Sequence, residues 1–313
     1  MVTGFPLPFQ LPASDASLVW RLFFLPIRLI ATDIDGTLLD SRGELPEANA
    51  LAIGEAAERG IEIVIVTGRR FDPARRIAQQ LPCDAHLIVS NGALVKSGSG
   101  ETHMRSLLPT ETARRVIEAT SQFRPYQGVI FDRPAERQVI FERIDWEGPF
   151  MGPYLRRHRH QVAEVAPLAA CLEGEDPVEI MFIGECAPIR AAQRTLETHE
   201  RREEYTLALT EYAERGMSML DVLRRGVTKG TALAEWARRR GIAPDEVMAI
   251  GDNWNDREML EFAGMPVVMG NAVPELKSLG WRVTLSNDDC GVAAAIRSYA
   301  LNGHGTSSRK KGE

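Results

Sequence analysis

No stretch of the 313 residues approaches the roughly 20 apolar side chains that a bilayer-spanning helix needs, so no membrane role is expected. Cysteine is scarce: Cys83, Cys171, Cys186 and Cys290 are the whole complement. They show no C-x-x-C spacing and no disulfide-framework density, which argues against a zinc ribbon or a redox pair; they read as reduced, mostly buried thiols. Basic residues are not in excess either, with 37 Lys and Arg against 43 Asp and Glu and a net charge of −6. A nucleic-acid binder rests largely on Lys and Arg meeting phosphate, and this balance argues against one. Internal repeats are missing too. What remains, at 44% hydrophobic residues, is a globular chain long enough for one large domain or two ordinary ones. A cytoplasmic protein is expected.

A secretory signal does not fit the N-terminus. The apolar run Leu18 to Leu25 is interrupted by Arg21 and preceded by Asp15 rather than by basic residues, and a strand-like segment follows at once. Residues 1–26 are expected to be an N-terminal extension, and 301–313, rich in Gly, Ser and Lys, a disordered tail.

The most informative segment is Leu29-Ile30-Ala31-Thr32-Asp33-Ile34-Asp35-Gly36-Thr37. A short apolar run bounded by a glycine predicts a buried strand over Arg28 to Ala31. Side chains alternate along an extended chain, so Asp33 and Asp35 point the same way at its carboxyl end, where open α/β sheets bind ligands. Two carboxylates so close repel unless a cation sits between them. A calcium loop is the plain alternative, but no acidic residue follows at the twelfth position.

Three distant segments add polar turns, two at strand ends and one at a helix start. Ile61 to Val66 is a β-branched run ending in Thr67-Gly68-Arg69, where a hydroxyl and a backbone N–H could grip a phosphoryl oxygen or merely cap the next turn. Thr228-Lys229-Gly230 opens a helix over Thr231 to Arg240 and puts a lysine where the helix dipole is already positive, a placement that an anion would explain. Val247 to Ile250 leads through Gly251 into Asp252-Asn253-Trp254-Asn255-Asp256, ahead of a helix over Arg257 to Phe262. Three polar ligands within five residues at a strand end suit the second half of a metal site.

In this order and spacing the four segments resemble the haloacid dehalogenase-like superfamily, and more narrowly its Cof-type branch, subclass IIB. Ser90-Asn91-Gly92-Ala93 and Asn287-Asp288-Asp289-Cys290-Gly291-Val292 add weaker echoes, and the likeness runs from about Arg28 to Tyr299. The resemblance implies an α/β protein: a Rossmann-like, doubly wound parallel sheet with an inserted α+β cap of the C2B kind. It also implies a hydrolase of phosphoric monoesters acting on a small phosphorylated metabolite such as a sugar phosphate. Asp33 would be the nucleophile, forming an aspartyl-phosphate, and Asp35 the general acid and base. Mg²⁺ would be held by Asp33, the backbone carbonyl of Asp35 and Asp252. Ile34, Thr67, Gly68, Lys229 and Asn255 would hold the phosphoryl oxygens. Asn253 and Asp256 would orient Lys229 and the metal's waters, and Arg69 could reach substrate or cap. A phosphomutase of the same fold shares these residues and stays open as the alternative; a non-catalytic paralogue would be expected to have lost one of them.

About 160 residues separate the second and third motifs, far more than one crossover needs. Strand-like Val129 to Phe131, Gln138 to Phe141 and Val178 to Ile183 alternate with helix-like Glu111 to Phe123 and Pro188 to His199, an α+β pattern. The expected division is 27–93 and 217–300 for the core and 94–216 for the cap. Arg133, Arg137, Trp146, Tyr154 and the run Arg156-Arg157-His158-Arg159-His160 are its candidate substrate contacts, although a solvated helix face explains that run equally well. The loop Asp145 to Pro153 has the Gly and Pro content of a semi-rigid lid. No oligomeric state follows from the sequence.

Overall fold

The computed structural model describes residues 26–148, 152–212 and 216–301. The expected extension and tail, and part of the 145–153 loop, lie outside the described residues. Strand β1 (Leu29–Thr32) is wholly buried, as its unbroken apolar run requires. Helix α1 (Glu47–Glu58), strand β2 (Glu62–Val66), helix α2 (Phe71–Ala78) and strand β3 (His86–Val89) follow, and the three strands pair in parallel. Strands β4 (Leu94–Ser97) and β5 (Thr102–Arg105) then extend the same sheet as antiparallel edge strands.

An insert follows, built on helix α3 (Thr110–Ala119), strands β6 (Gln127–Ile130) and β7 (Val139–Phe141), and helix α4 (Gly152–Arg157). Strands β8 (Val162–Glu164) and β9 (Glu179–Glu185), helix α5 (Cys186–Glu197), and strands β10 (Tyr205–Tyr212) and β11 (Met217–Arg224) complete it. Its six-stranded sheet has the order β10-β11-β9-β6-β7-β8. The chain returns to the core as helix α6 (Lys229–Arg240), strand β12 (Val247–Gly251), helix α7 (Arg257–Phe262) and strand β13 (Met265–Val268). Helix α8 (Pro274–Lys277), strand β14 (Arg282–Val283) and helix α9 (Gly291–Ala295) close it. The core sheet reads β14-β13-β12-β1-β2-β3-β4-β5, parallel from β14 to β3. Chain order runs outward in both directions from β1, so the crevice between β1 and β12 is the topological switch point.

Sheet membership departs from the expected division at both ends. Residues 94–105 belong to the core sheet, because β4 pairs with β3, and Met217–Arg224 belongs to the insert, because β11 pairs with β9 and β10. Each strand's sheet is set by the strand it pairs with, which the apolar pattern of a single segment does not reveal.

The inner strands of the insert sheet are buried on both faces. Ile180, Phe182, Leu220 and Val222 join Val116, Ile117, Ile189 and Leu196 in one apolar cluster, under α3 and α5. Met181, Ile183 and Leu223, one residue out of phase, join the apolar cluster of the core. That period of two is why a single sheet can be roofed by its own helices and seated on the core. Across the seam Asp72 accepts hydrogen bonds from Gln138 Nε2 (2.9 Å) and Gln161 Nε2 (2.8 Å), and Arg70 donates to Gln138 Oε1 at 2.8 Å.

Candidate active site

Three strand ends and one helix start converge at the switch point. Asp33 directly follows β1, Thr67 follows β2, and Asp252 follows β12. Lys229 is the first residue of α6, which starts there because Thr228 caps it: the Thr228 hydroxyl accepts from Thr231 N–H at 3.1 Å. Lys229 is 2% exposed, and its Nζ lies 2.7 Å from Asp33 Oδ1 and 2.6 Å from Asp256 Oδ1. Burial opposes charge on this ammonium, but its two carboxylate neighbours outweigh that and hold it charged, above the ordinary lysine range.

Asp256 serves two structures at once. Its second oxygen accepts the backbone N–H groups of Asp252 and Asn253, each at 3.0 Å. Asn253 accepts from the Trp254 N–H at 2.7 Å and so caps the turn Trp254–Asp256. Asp256, expected to orient Lys229, thus touches both its ammonium and the backbone of the turn. Asn253, expected to share that role, spends its side-chain oxygen on the local backbone.

Carboxylate oxygens of Asp33, Asp252 and Asp256 lie within 4.8 Å of one another. Three acids face one lysine, an imbalance that a divalent cation would relieve. Burial pushes Asp33 up to about 7, against the pull of Lys229 and helped by repulsion from Asp256 and Asp35. Burial likewise raises Asp252 well above its usual range, with Asp256 and Asp33 adding to it. An all-oxygen donor set suits a hard cation, and both Asp256 oxygens are already taken by Lys229 and the backbone. Asp33 and Asp252 are thus the carboxylates best placed to hold one. Asp252 is itself steadied by the Thr37 hydroxyl, 2.7 Å from its Oδ1. Gly36 is required between them: its φ is +76°, and a Cβ there would meet Asp252 Oδ2 at 2.4 Å.

Asp35 faces the same crevice, held by Arg69 in a two-pronged ion pair with Nε–Oδ2 of 2.7 Å and Nη2–Oδ1 of 2.6 Å. The buried Thr67 hydroxyl accepts from the Arg69 N–H at 3.1 Å, which places Gly68 between the two. Ile34 is buried beside Asp33, and its carbonyl accepts from Leu39 N–H at 3.0 Å. Asn255 donates through Nδ2 to Asn91 Oδ1 at 3.2 Å.

Several supporting residues escaped the sequence reading. Asn271 donates to the Gly36 carbonyl at 2.8 Å, and Asn287 to the Leu39 carbonyl at 3.0 Å, so the last loops of the core brace the turn after Asp35. Glu179 and Asp221 sit buried on the core-facing side of the insert sheet. Their one signal was an acid set in an apolar run, at the start of β9 for Glu179 and in the middle of β11 for Asp221. The candidate insert contacts are spread out: Arg133 pairs with Glu175 at 2.8 Å and Arg159 stacks on Trp146, while Arg156 donates to the Trp146 carbonyl. The side chain of Tyr154 lies outside the described residues.

The family model of haloacid dehalogenase-like hydrolases matches residues 30–296. The chain belongs to that family. A provisionally named phosphatase of Streptococcus pyogenes is 30% identical over 89% of this chain and 100% of its own length. The 5-amino-6-(5-phospho-D-ribitylamino)uracil phosphatase of Bacillus subtilis is 30% identical over 88% and 96%. Among solved structures, a haloacid dehalogenase-like hydrolase from B. subtilis superposes with a TM-score of 0.71 at 25% identity, covering 87% of this chain and 99% of that one. The enzyme is a hydrolase of phosphoric monoesters, built as an α/β core with an inserted second sheet.

Proposed function

We propose that this enzyme is a Mg²⁺-dependent phosphatase of small phosphorylated metabolites, working in the cytoplasm through an aspartyl-phosphate on Asp33. One observation carries the reading: Lys229 Nζ bridges Asp33 and Asp256 while an Asp252 oxygen lies within 4.8 Å of theirs, at the carboxyl ends of adjacent parallel strands. Asp33 attacks phosphorus in line with the departing alkoxide, trading one hard displacement for two easier ones. Asp35 gives its proton to that alkoxide and then takes one from the water that hydrolyses the acyl phosphate. In this structure Arg69 occupies both Asp35 oxygens, so an arriving leaving group has to loosen that ion pair before Asp35 can act. Lys229, the Thr67 hydroxyl, the backbone at Gly68 and Ile34, and the Asn255 amide hold the phosphoryl oxygens. Asp33, Asp252 and the Asp35 carbonyl would hold Mg²⁺, which when bound offsets the charge of carboxylate and phosphate brought together. The insert acts as a cap that excludes water and meets the leaving group. The B. subtilis relative's named substrate, a phosphorylated ribitylaminouracil, supports a small metabolite.

Turnover of p-nitrophenyl phosphate tests the reading. Asp33→Asn should abolish it, falling by at least about 10³-fold, while the protein stays folded, and EDTA should remove activity that added Mg²⁺ restores. Retained activity in Asp33→Asn overturns the nucleophile, and activity undiminished in EDTA overturns the metal.

A further inference from the structure

Asp221 is an acid in the middle of β11, 3% exposed, and no active-site role described so far uses it. Its Oδ2 accepts from Asn91 Nδ2 at 2.8 Å, and Asn91 Oδ1 accepts from Asn255 Nδ2 at 3.2 Å. The three side chains form a chain of hydrogen bonds from the insert, through the core turn after β3, to the proposed phosphate grip. Asn91 follows Ser90, and both take left-handed backbone angles, φ 49° and 48°, that non-glycine residues adopt at a cost. Such strain persists where the surroundings hold it, and it concentrates at functional sites.

We propose that Asp221 is a positioning residue that sets the polarity of this relay and thereby turns an N–H of Asn255 toward the phosphoryl group. The proposal rests on the reading of Asn255 as a phosphoryl ligand. A carboxamide donates at one end and accepts at the other, whereas a carboxylate only accepts. Facing Asp221, Asn91 must present its NH₂, which leaves its carbonyl for Asn255. Asn255 must then present its own NH₂, one hydrogen to Asn91 and the other free for substrate. Reversing the relay puts the Asn255 carbonyl oxygen where that N–H stood, and two oxygens repel. Because Asp221 belongs to the insert sheet and Asn91 to the core, the polarity is fixed only while the insert is seated.

Neighbouring groups agree with an accepting Asp221. Glu179 on β9 is buried nearby, and Asp221 adds to the burial that pushes it well above its usual range. Burial raises Asp221 to about 7, and the hydrogen bond from Asn91 opposes that rise by favouring the charged, accepting form. Asp221 Oδ1 and Glu179 Oε2 are both buried without a hydrogen-bond partner, so nothing else competes to orient Asp221.

The test is steady-state kinetics with p-nitrophenyl phosphate and melting temperatures on four variants. Asp221→Asn lets Asn91 turn over and should lower kcat at least tenfold, with a smaller change in KM and no loss of melting temperature. The exchange Asn91→Asp with Asp221→Asn rebuilds the polarity, since the new carboxylate accepts from both neighbours, and should return kcat to within threefold of the parent. Asn91→Gly deletes the relay without backbone strain and should also be slow. Asp221→Asn or Asn91→Gly with kcat within twofold of the parent overturns the relay, as does a folded exchange variant as slow as Asp221→Asn. Asn255→Ala separates the two claims: if it keeps the parent kcat the phosphate-grip reading fails, and if it is slow while Asp221→Asn is fast only the relay fails.

Discussion

At the scale of single residues, the site is defined by a shortage of positive charge. Lys229 alone answers Asp33 and Asp256, and all three are buried. Lys229→Met should therefore cost stability as well as activity. Removing one partner of a buried ion pair strands the others, typically at about 3–5 kcal/mol, and urea denaturation should show a loss of that order. The Asp33→Asn variant should not share it, because Asp256 still answers the ammonium. Asp33 was legible in the sequence because it stands at the end of an apolar strand, where a polar side chain has no packing reason to be, Asp256 because it closes a polar cluster just past another such strand, and Lys229 because it opens a helix where the dipole is already positive. Asn271 was not legible, and Asn287 stood out only within a segment of family likeness, because both sit in loops and act by bonding the Gly36 and Leu39 carbonyls. Nothing local marks a loop asparagine whose partner lies more than 200 residues away.

At the scale of elements, β9 and β11 carry the two acids that the core-facing side of the insert must bury. The sign of their effect on stability follows from the raised values. Glu179 holds its proton in the folded chain to higher pH than in the unfolded one, so unfolding releases that proton and stability declines as pH rises from its ordinary range toward its folded value. Glu179→Gln removes the titration. Its melting temperature, relative to the parent, should be higher at pH 8 than at pH 5, and a constant difference would refute a shared buried charge. Both strands show how far patterning reached. The segment Val178 to Ile183 read as a strand and is one, as β9 (Glu179–Glu185). Met217 to Leu223 read as the way back to the core, yet it is the second strand of the insert sheet by order, paired to β10 and β9. Alternation finds a strand; only the partner strand says which sheet it joins.

At the scale of the whole molecule, Asp72, Gln138, Gln161 and Arg70 join the two sheets across a seam. Asp72→Ala deletes both hydrogen bonds to the carboxylate. At about 1.5–3 kcal/mol for bonds to a charged group, less what water returns, closure should weaken measurably. We expect kcat/KM for p-nitrophenyl phosphate to fall about tenfold and solution scattering to report a more extended particle. The sequence announced an insert by its length between the second and third motifs, but not this seam, because its polar partners lie in turns and short strands that follow no period. The seam also has a consequence for how the enzyme answers its surroundings. Beside the three hydrogen bonds, the insert's Asp132 answers two cations of the core sheet, Lys96 on β4 and Arg105 on β5, the latter at 3.0 Å. Arg105 is half in water, so dissolved ions reach part of that attraction. Turnover at saturating substrate should consequently decline between about 0.05 and 0.5 M potassium chloride, and a level profile would mean that contact alone keeps the two sheets together.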